Sequence, residues 1–193
     1  MKLTKVCDGL AFPEGPIAMA DCSVILVEIK RQTLSRVHPD GRIEVIADLG
    51  GGPNGAAVGP DGMIYVCNNG GFVWTQKDGI TRPVGTPNDY ETGSIQRVDP
   101  VTGAFETIYQ SCDGQPLRGP NDIVFDAQGG FYFTDLGKTT PEYVHHGAFY
   151  YAQTDGSAIR RVHGPMITPN GIGLSPDDQT VHVAETRTGR VWS

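Results

Sequence analysis

An all-β propeller is the fold class that this sequence predicts, and three observations carry the prediction. The stretch from Gly119 to Asp135 holds a complete unit: a Pro-Asn lead-in, an apolar strand (Ile123 to Phe125), a turn (Asp126 to Gly130) and a second strand (Phe131 to Thr134). The same order recurs from Pro53, Pro169 and, with Glu14 in place of the amide, Pro13, at intervals of about 40 to 67 residues. Gly (26) and Pro (14) together make up about a fifth of the 193 residues, against an average of roughly 12%. That suits many short strands joined by tight turns, and the repeated units carry strand signals with no helical period.

Each element follows from local signals. Residues 1 to 10 read as an irregular segment or a lone strand. The first unit starts at Phe12, with strands near Ile17 to Met19, Val24 to Glu28, Thr33 to Val37 and Arg42 to Ala47, the last two joined through the strong turn His38 to Gly41. The second unit offers Ala56 to Val58, Met63 to Asn68, Gly93 to Asp99 and Ala104 to Gln110. It is interrupted by an insertion near Phe72 to Tyr90 that reads either as a functional lid or as a solvated excursion. The third uses Ile123 to Phe125, Phe131 to Asp135, Gly147 to Gln153 and Ala158 to Val162, with its own loop from Leu136 to His146. The fourth supplies Ile172 to Leu174, Thr180 to Glu185 and a third strand from Gly189 to Trp192. A propeller blade is four antiparallel strands in roughly 45 residues. The expected arrangement is therefore a single propeller domain over 1–193, incomplete, with blades near 11–50, 51–115, 116–165 and 166–193.

Composition narrows the function. A net charge of −7 without a basic stripe argues against nucleic acid. No apolar run approaches the length of a membrane span, and no signal-peptide pattern opens the chain, so a cytoplasmic protein with no membrane partner is expected. Cys7, Cys22, Cys67 and Cys112 lack Cys-x-x-Cys spacing and read as packing residues or free thiols; a Cys7–Cys22 bridge would need an oxidising compartment. The His145-His146 pair reads as solvated rather than metal-bound. No Gly-x-Ser-x-Gly elbow is present, and the Gly-Gly pairs lack the strand-to-helix context of a nucleotide loop.

If each Pro-Asn or Pro-Glu opens the innermost strand of a blade, rotation brings Glu14, Asn54, Asn121 and Asn170 to one end of one axis. Side-chain oxygens converging there suit a hard cation such as calcium. The bland alternative is that each motif is only a favoured turn in which Asn bonds its own backbone; four copies, one of them acidic, favour the axial site. Strand alternation places Asp122 on the opposite side from Asn121.

These motifs also carry a resemblance. Phe-Pro-Glu-Gly-Pro at 12–16, Gly-Pro-Asn-Asp-Ile-Val-Phe-Asp at 119–126 and Thr-Pro-Asn-Gly-Ile-Gly-Leu-Ser-Pro at 168–176 resemble those of the gluconolactonase, regucalcin and senescence-marker-protein family of six-bladed propellers. The resemblance runs from about Leu10 to Trp192 and implies a C-terminally truncated member with about four blades. It implies an axial divalent cation, calcium first with zinc, magnesium or manganese as alternatives, held by Glu14, Asn121 and Asn170. It also implies that Arg118, Asn121 and Asn54 face the substrate. The family's late-blade Asp, regarded as the base, has no counterpart here, and Glu14, Asp122 and Glu185 are the carboxylates that remain. The implied activity is cation-activated water opening a sugar lactone or similar small ester; the alternative is a non-catalytic calcium-binding propeller or an inactive fragment. The open edge after Trp192 predicts self-association.

Overall fold

A computed structural model describes residues 3–193. Among the described residues there is no helix, and none therefore long and apolar enough to cross a membrane. Four antiparallel sheets stand side by side. The first holds β1 (Pro13–Ala18), β2 (Val24–Glu28), β3 (Thr33–Val37) and β4 (Ile43–Asp48), in that order. The second begins with β5 (Pro53–Val58) and β6 (Ile64–Asn68). The chain then leaves to form a separate hairpin, β7 (Val73–Lys77) and β8 (Ile80–Gly85), and returns as β9 (Ser94–Val98) and β10 (Phe105–Tyr109) to complete the sheet. A short pair, β11 (Ser111–Cys112) and β12 (Gln115–Pro116), follows. The third sheet is β13 (Pro120–Phe125), β14 (Phe131–Asp135), β15 (Gly147–Ala152) and β16 (Ile159–Met166); the fourth is β17 (Pro169–Leu174), β18 (Val181–Glu185) and β19 (Arg190–Trp192).

The strand pattern expected from sequence is thus the pattern found, with two additions. The insertion is itself a β-hairpin, and β11–β12 had no sequence signal strong enough to stand out. Residues 3–10 contain no strand, and residues 1 and 2 of the proposed N-terminal segment lie outside the described residues. All four cysteines are free thiols, so the Cys7–Cys22 bridge does not form; Cys67 and Cys112 are buried packing residues, as expected.

What holds the sheets together is visible along β6, which is buried on both faces. Its side chains alternate with the period of two inherent in a strand. Ile64 and Val66 join Ile25, Val27 and Leu34 of the first sheet in one apolar layer, while Tyr65 and Cys67 join Ile123, Phe131 and Phe133 of the third in another. The hydrophobic core is therefore a stack of layers between neighbouring sheets, the face-to-face packing of a propeller. Removing Phe131, fully buried with aromatic neighbours Tyr65, Phe125 and Phe133, would cost roughly 3–5 kcal/mol.

The innermost strands β1, β5, β13 and β17 contact one another in succession. At two of these contacts only glycine fits. A Cβ on Gly15, whose φ is +54°, would stand 2.7 Å from Ala56 N, and one on Gly55 would stand 2.4 Å from Asn121 O. The glycine of the Pro-x-Gly motif is thus a point where the backbone of one blade touches that of the next.

Candidate functional site

Each motif proline sits directly across its sheet from the last residue of the second strand: Pro13 from Glu28, Pro53 from Asn68, Pro120 from Asp135 and Pro169 from Glu185. In the second, third and fourth sheets the register shifts just after this pair, and in the first it shifts one pair later, after Glu14 opposite Val27. Such a bulge re-aims the side chains that follow the proline. The result is a recess of about 190 Å³ lined by Glu14, Asn54, Asn121 and Asn170, together with Gly15, Gly55, Pro16 and Asp122. Four motif residues that are far apart in the chain are brought to one place.

Asp122 departs from the alternation argument. The bulge between Pro120 and Ile123 cancels the strict two-residue period, so Asn121 and Asp122 both line the recess. Asp122 also occupies the position that is glycine in the other three motifs. Its carboxylate fills the gap towards the fourth sheet, accepting from Ile172 N at 3.0 Å and from its own neighbour Ile123 N at 2.9 Å. Burial raises its pKa above the ordinary carboxylate value, opposed by those two hydrogen bonds. Thr134, fully buried, connects the same two strands: its hydroxyl accepts from Asp122 N at 3.1 Å and donates to Asn170 O at 2.5 Å.

Glu185 is placed elsewhere. It is buried opposite Pro169, accepts from Ile167 N at 2.6 Å and from the Thr188 hydroxyl at 2.8 Å, and does not line the recess. Of the carboxylates weighed as a base, it is the one already committed to holding a loop. Its counterparts do the same work, which the sequence reading missed. Glu28 accepts from Ala11 N, Arg31 Nε and Ser35 Oγ. Asn68 accepts from Gly52 N and Gly70 N and donates to Gly50 O and Gln96 Oε1. Asp135 accepts from the backbone N–H groups of Arg118, Gly119 and Gly137. The available signal was a polar residue closing the second strand of every unit.

Arg118 lines a different and larger recess of about 410 Å³, outside the ring of motif side chains. Its walls are the hairpin segment, represented by Thr86, Pro87 and Tyr90, and the loop after β14, represented by Lys138, Tyr143 and His145. His145 therefore faces a cavity, edge-on to Tyr143 with ring centroids 4.8 Å apart, while His146 is exposed. Burial first, then the positive charge of Arg118, lowers the His145 pKa.

Lys138 pins these two walls together and gave no sequence signal. It is 5% exposed, its Nζ donating to Asn69 O at 2.5 Å and Gly71 O at 2.8 Å while lying 4.7 Å from the ring centroids of Phe72 and Tyr90. Burial lowers its pKa to about 8. Phe72 and Tyr90 thus line the recesses and cover Lys138 at once; Trp74 instead leans on Phe12, centroids 4.9 Å apart, tying the hairpin to the first motif.

The sequence profile of the SMP-30/Gluconolactonase/LRE-like region matches residues 12–193. The chain belongs to this family. Among curated members of the SMP-30/gluconolactonase/LRE-like family, a gluconolactonase from Zymomonas mobilis is 23% identical over 94% of this chain and 51% of its own length. The lactonase drp35 of Staphylococcus haemolyticus is 29% identical over 97% of this chain and 52% of its own. The chain spans about half the length of the curated relatives it matches. In fold it is similar to a gluconolactonase from Xanthomonas campestris, with a TM-score of 0.72 at 24% identity over 96% of this chain and 60% of that one. It is also similar to regucalcin from Agrobacterium tumefaciens, described as a calcium-binding protein, with a TM-score of 0.67 at 18% identity over 94% and 53%.

The donor set in the recess fits a hard cation. Glu14 offers a carboxylate and three asparagines offer amide carbonyls, and among the described residues no hydrogen bond engages the side chain of any of the four. No cluster of three or more His, Cys, Asp or Glu is present among the described residues, so softer metals have no evident cage.

Proposed function

We propose that this chain carries the axial site of a cation-dependent hydrolase that opens a sugar lactone or a similar small cyclic ester. The observation that carries the reading is the single recess in which Glu14, Asn54, Asn121 and Asn170 meet. The names of the two curated relatives, a gluconolactonase and a lactonase, support the substrate class. Glu14, Asn121 and Asn170 would hold the cation, with calcium favoured by an all-oxygen donor set. Asn54 and Asn121 would present amide groups to the substrate, and Arg118 would meet it from the larger recess. When bound, such an ion polarises an ester carbonyl and makes water a better nucleophile.

The chain's own residues would supply the rest. Asp122 lines the recess with a carboxylate whose proton affinity burial has raised, which suits it to accept a proton near the substrate. Thr134 fixes the strand that carries Asn170 relative to Asp122. A cytoplasmic protein is part of the same proposal, since four free thiols fit a reducing compartment.

A second reading, a calcium-binding propeller without activity, draws on the shortage of carboxylates: among the described residues, Glu14 is the only one lining the recess that no hydrogen bond engages. One experiment separates the two. Lactone opening is followed by proton release with and without chelator, beside calcium titration by calorimetry, for the parent and for Glu14→Gln. The enzyme reading expects chelator-sensitive turnover, with both turnover and calcium heat lost in the variant. Calcium heat without turnover selects the second reading, and unchanged affinity in Glu14→Gln removes Glu14 from the cage.

A further inference from the structure

Lys138 lines two adjoining cavities at once, the recess of about 410 Å³ that holds Arg118 and a second of about 300 Å³ between hairpin β7–β8 and the loop after β14. Among the described residues its buried ammonium forms no ion pair. It rests instead on two neutral carbonyls and two ring faces. Asp135, the negative charge that acts on it, is already committed to the backbone N–H groups of Arg118, Gly119 and Gly137. A desolvated lysine with a pKa of about 8 keeps part of its amine unprotonated near neutral pH, the condition for attack on a carbonyl carbon. Arg118 is half-buried in the larger cavity and, among the described residues, pairs with no carboxylate, although Glu91 and Glu142 line the same cavity from exposed positions. A guanidinium so placed presents a fork that matches a carboxylate. Tyr90 joins the two groups, its hydroxyl donating to Arg118 O at 2.6 Å and its ring covering Lys138. His145, on the same wall, is held towards its neutral form by burial and then by Arg118, so it can take up a proton and return it.

We propose that this cavity binds a small 2-oxo acid, with Arg118 holding the carboxylate and Lys138 Nζ forming an imine with the carbonyl carbon. The assignment goes beyond the lactone reading and does not depend on it, because the cavity shares no lining residue with the recess of Glu14, Asn54, Asn121 and Asn170. The deprotonated amine adds to the carbonyl carbon and one amine proton passes to the carbonyl oxygen. The carbinolamine then loses its hydroxyl with the second amine proton as water, leaving a carbon–nitrogen double bond. His145 is the group on the cavity wall that relays these protons. A protonated imine retains a single N–H, so Lys138 keeps one of its bonds to Asn69 O and Gly71 O and releases the other. Capture of the ligand therefore loosens the contact between the hairpin segment and the loop after β14.

The test uses glyoxylate as the probe and propanal as its uncharged counterpart, each with sodium cyanoborohydride. The reagent delivers hydride to the imine carbon and fixes the adduct as a secondary amine, which peptide mass mapping locates. At about pH 7.5, Lys138 should be labelled by glyoxylate about tenfold faster than the exposed Lys30 and Lys77, whose amines are almost wholly protonated there. In Arg118→Gln, with the fold checked by thermal melting, the glyoxylate rate at Lys138 should fall about tenfold, to that of propanal, while the propanal rate stays at the parent value. Label confined to the exposed lysines overturns the proposal. Equal rates for the two aldehydes at Lys138 in the parent, or a glyoxylate rate untouched in Arg118→Gln, overturn the 2-oxo acid assignment.

Discussion

The molecule carries two fourfold sets of acids and amides, one on each side of the same strand pair, and they have opposite fates. Glu28, Asn68, Asp135 and Glu185 close the second strands, are all buried, and spend their oxygens on backbone N–H groups of the segments leading into the motifs. Glu14, Asn54, Asn121 and Asn170 stand at or next to the residue opposite and line a recess, their side chains engaged by no hydrogen bond among the described residues. The chemistry of the side chains is the same. What differs is whether the neighbouring backbone has already used it, and that decides which set holds the fold and which is free to hold a ligand.

The largest effect expected from breaking the comparison is at Asp135. Asp135→Ala strands three backbone N–H donors in a buried place, and urea denaturation should show a loss of about 4 kcal/mol. Asn170→Ala, in the other set, should change stability by less than ~1 kcal/mol because no side-chain partner is lost. Calorimetry should instead register calcium affinity weakened about tenfold. Equal destabilisation by the two variants would erase the distinction.

Lys138 sharpens the contrast through pH. Its folded pKa, about 8, lies below the ordinary lysine value because of burial. The unfolded chain then holds that proton more tightly, so acid conditions favour unfolding, and stability rises as pH climbs from about 8 towards the unfolded value. Melting curves of the parent and Lys138→Met should therefore diverge, the parent gaining on the order of 2 kcal/mol relative to the variant between pH 8 and pH 10. Parallel pH profiles would mean that the ammonium is not desolvated.

The smallest effect is expected within the motifs themselves. Gly171→Ala meets nothing closer than 3.9 Å and should stay within ~0.5 kcal/mol of the parent, whereas Gly55→Ala, with Asn121 O at 2.4 Å, must push two blades apart. Thermal melting of the pair shows whether the backbone contact is shared by every blade or confined to the first three.

The sequence displayed the ligand-facing set because Pro and Gly flank it with a fixed spelling, and because Glu14 breaks the pattern in a chemically informative way. It concealed the structural set, since a single polar residue at the end of an apolar strand is common and only the register shows that Glu28, Asn68, Asp135 and Glu185 all lie opposite a proline. Asp122 was misplaced because strand alternation was applied through a bulge. The hairpin β7–β8 was legible as an insertion but not as strands, because Trp74 to Lys77 alternates weakly and most of its side chains face solvent. Lys138 belongs to a loop and is buried by residues from another sheet, a long-range fact that local sequence does not encode.

The glycine contacts between successive inner strands bear on which ion the recess would prefer. Because Gly15 and Gly55 press backbone against backbone, the donors of the first three sheets are mounted on a frame that has no soft side chain between its parts, and Asn170 is tied to that frame through Asp122 and Thr134. Such a ring behaves as a fixed gauge. A small ion that demands six ligands at about 2.0–2.1 Å would have to pull the frame inward, while a larger one, content with distances of about 2.3–2.6 Å and a variable number of oxygens, could be met where the donors already stand. On that footing, discrimination between magnesium and calcium would be a mechanical property of the main chain, fixed before any side chain is chosen.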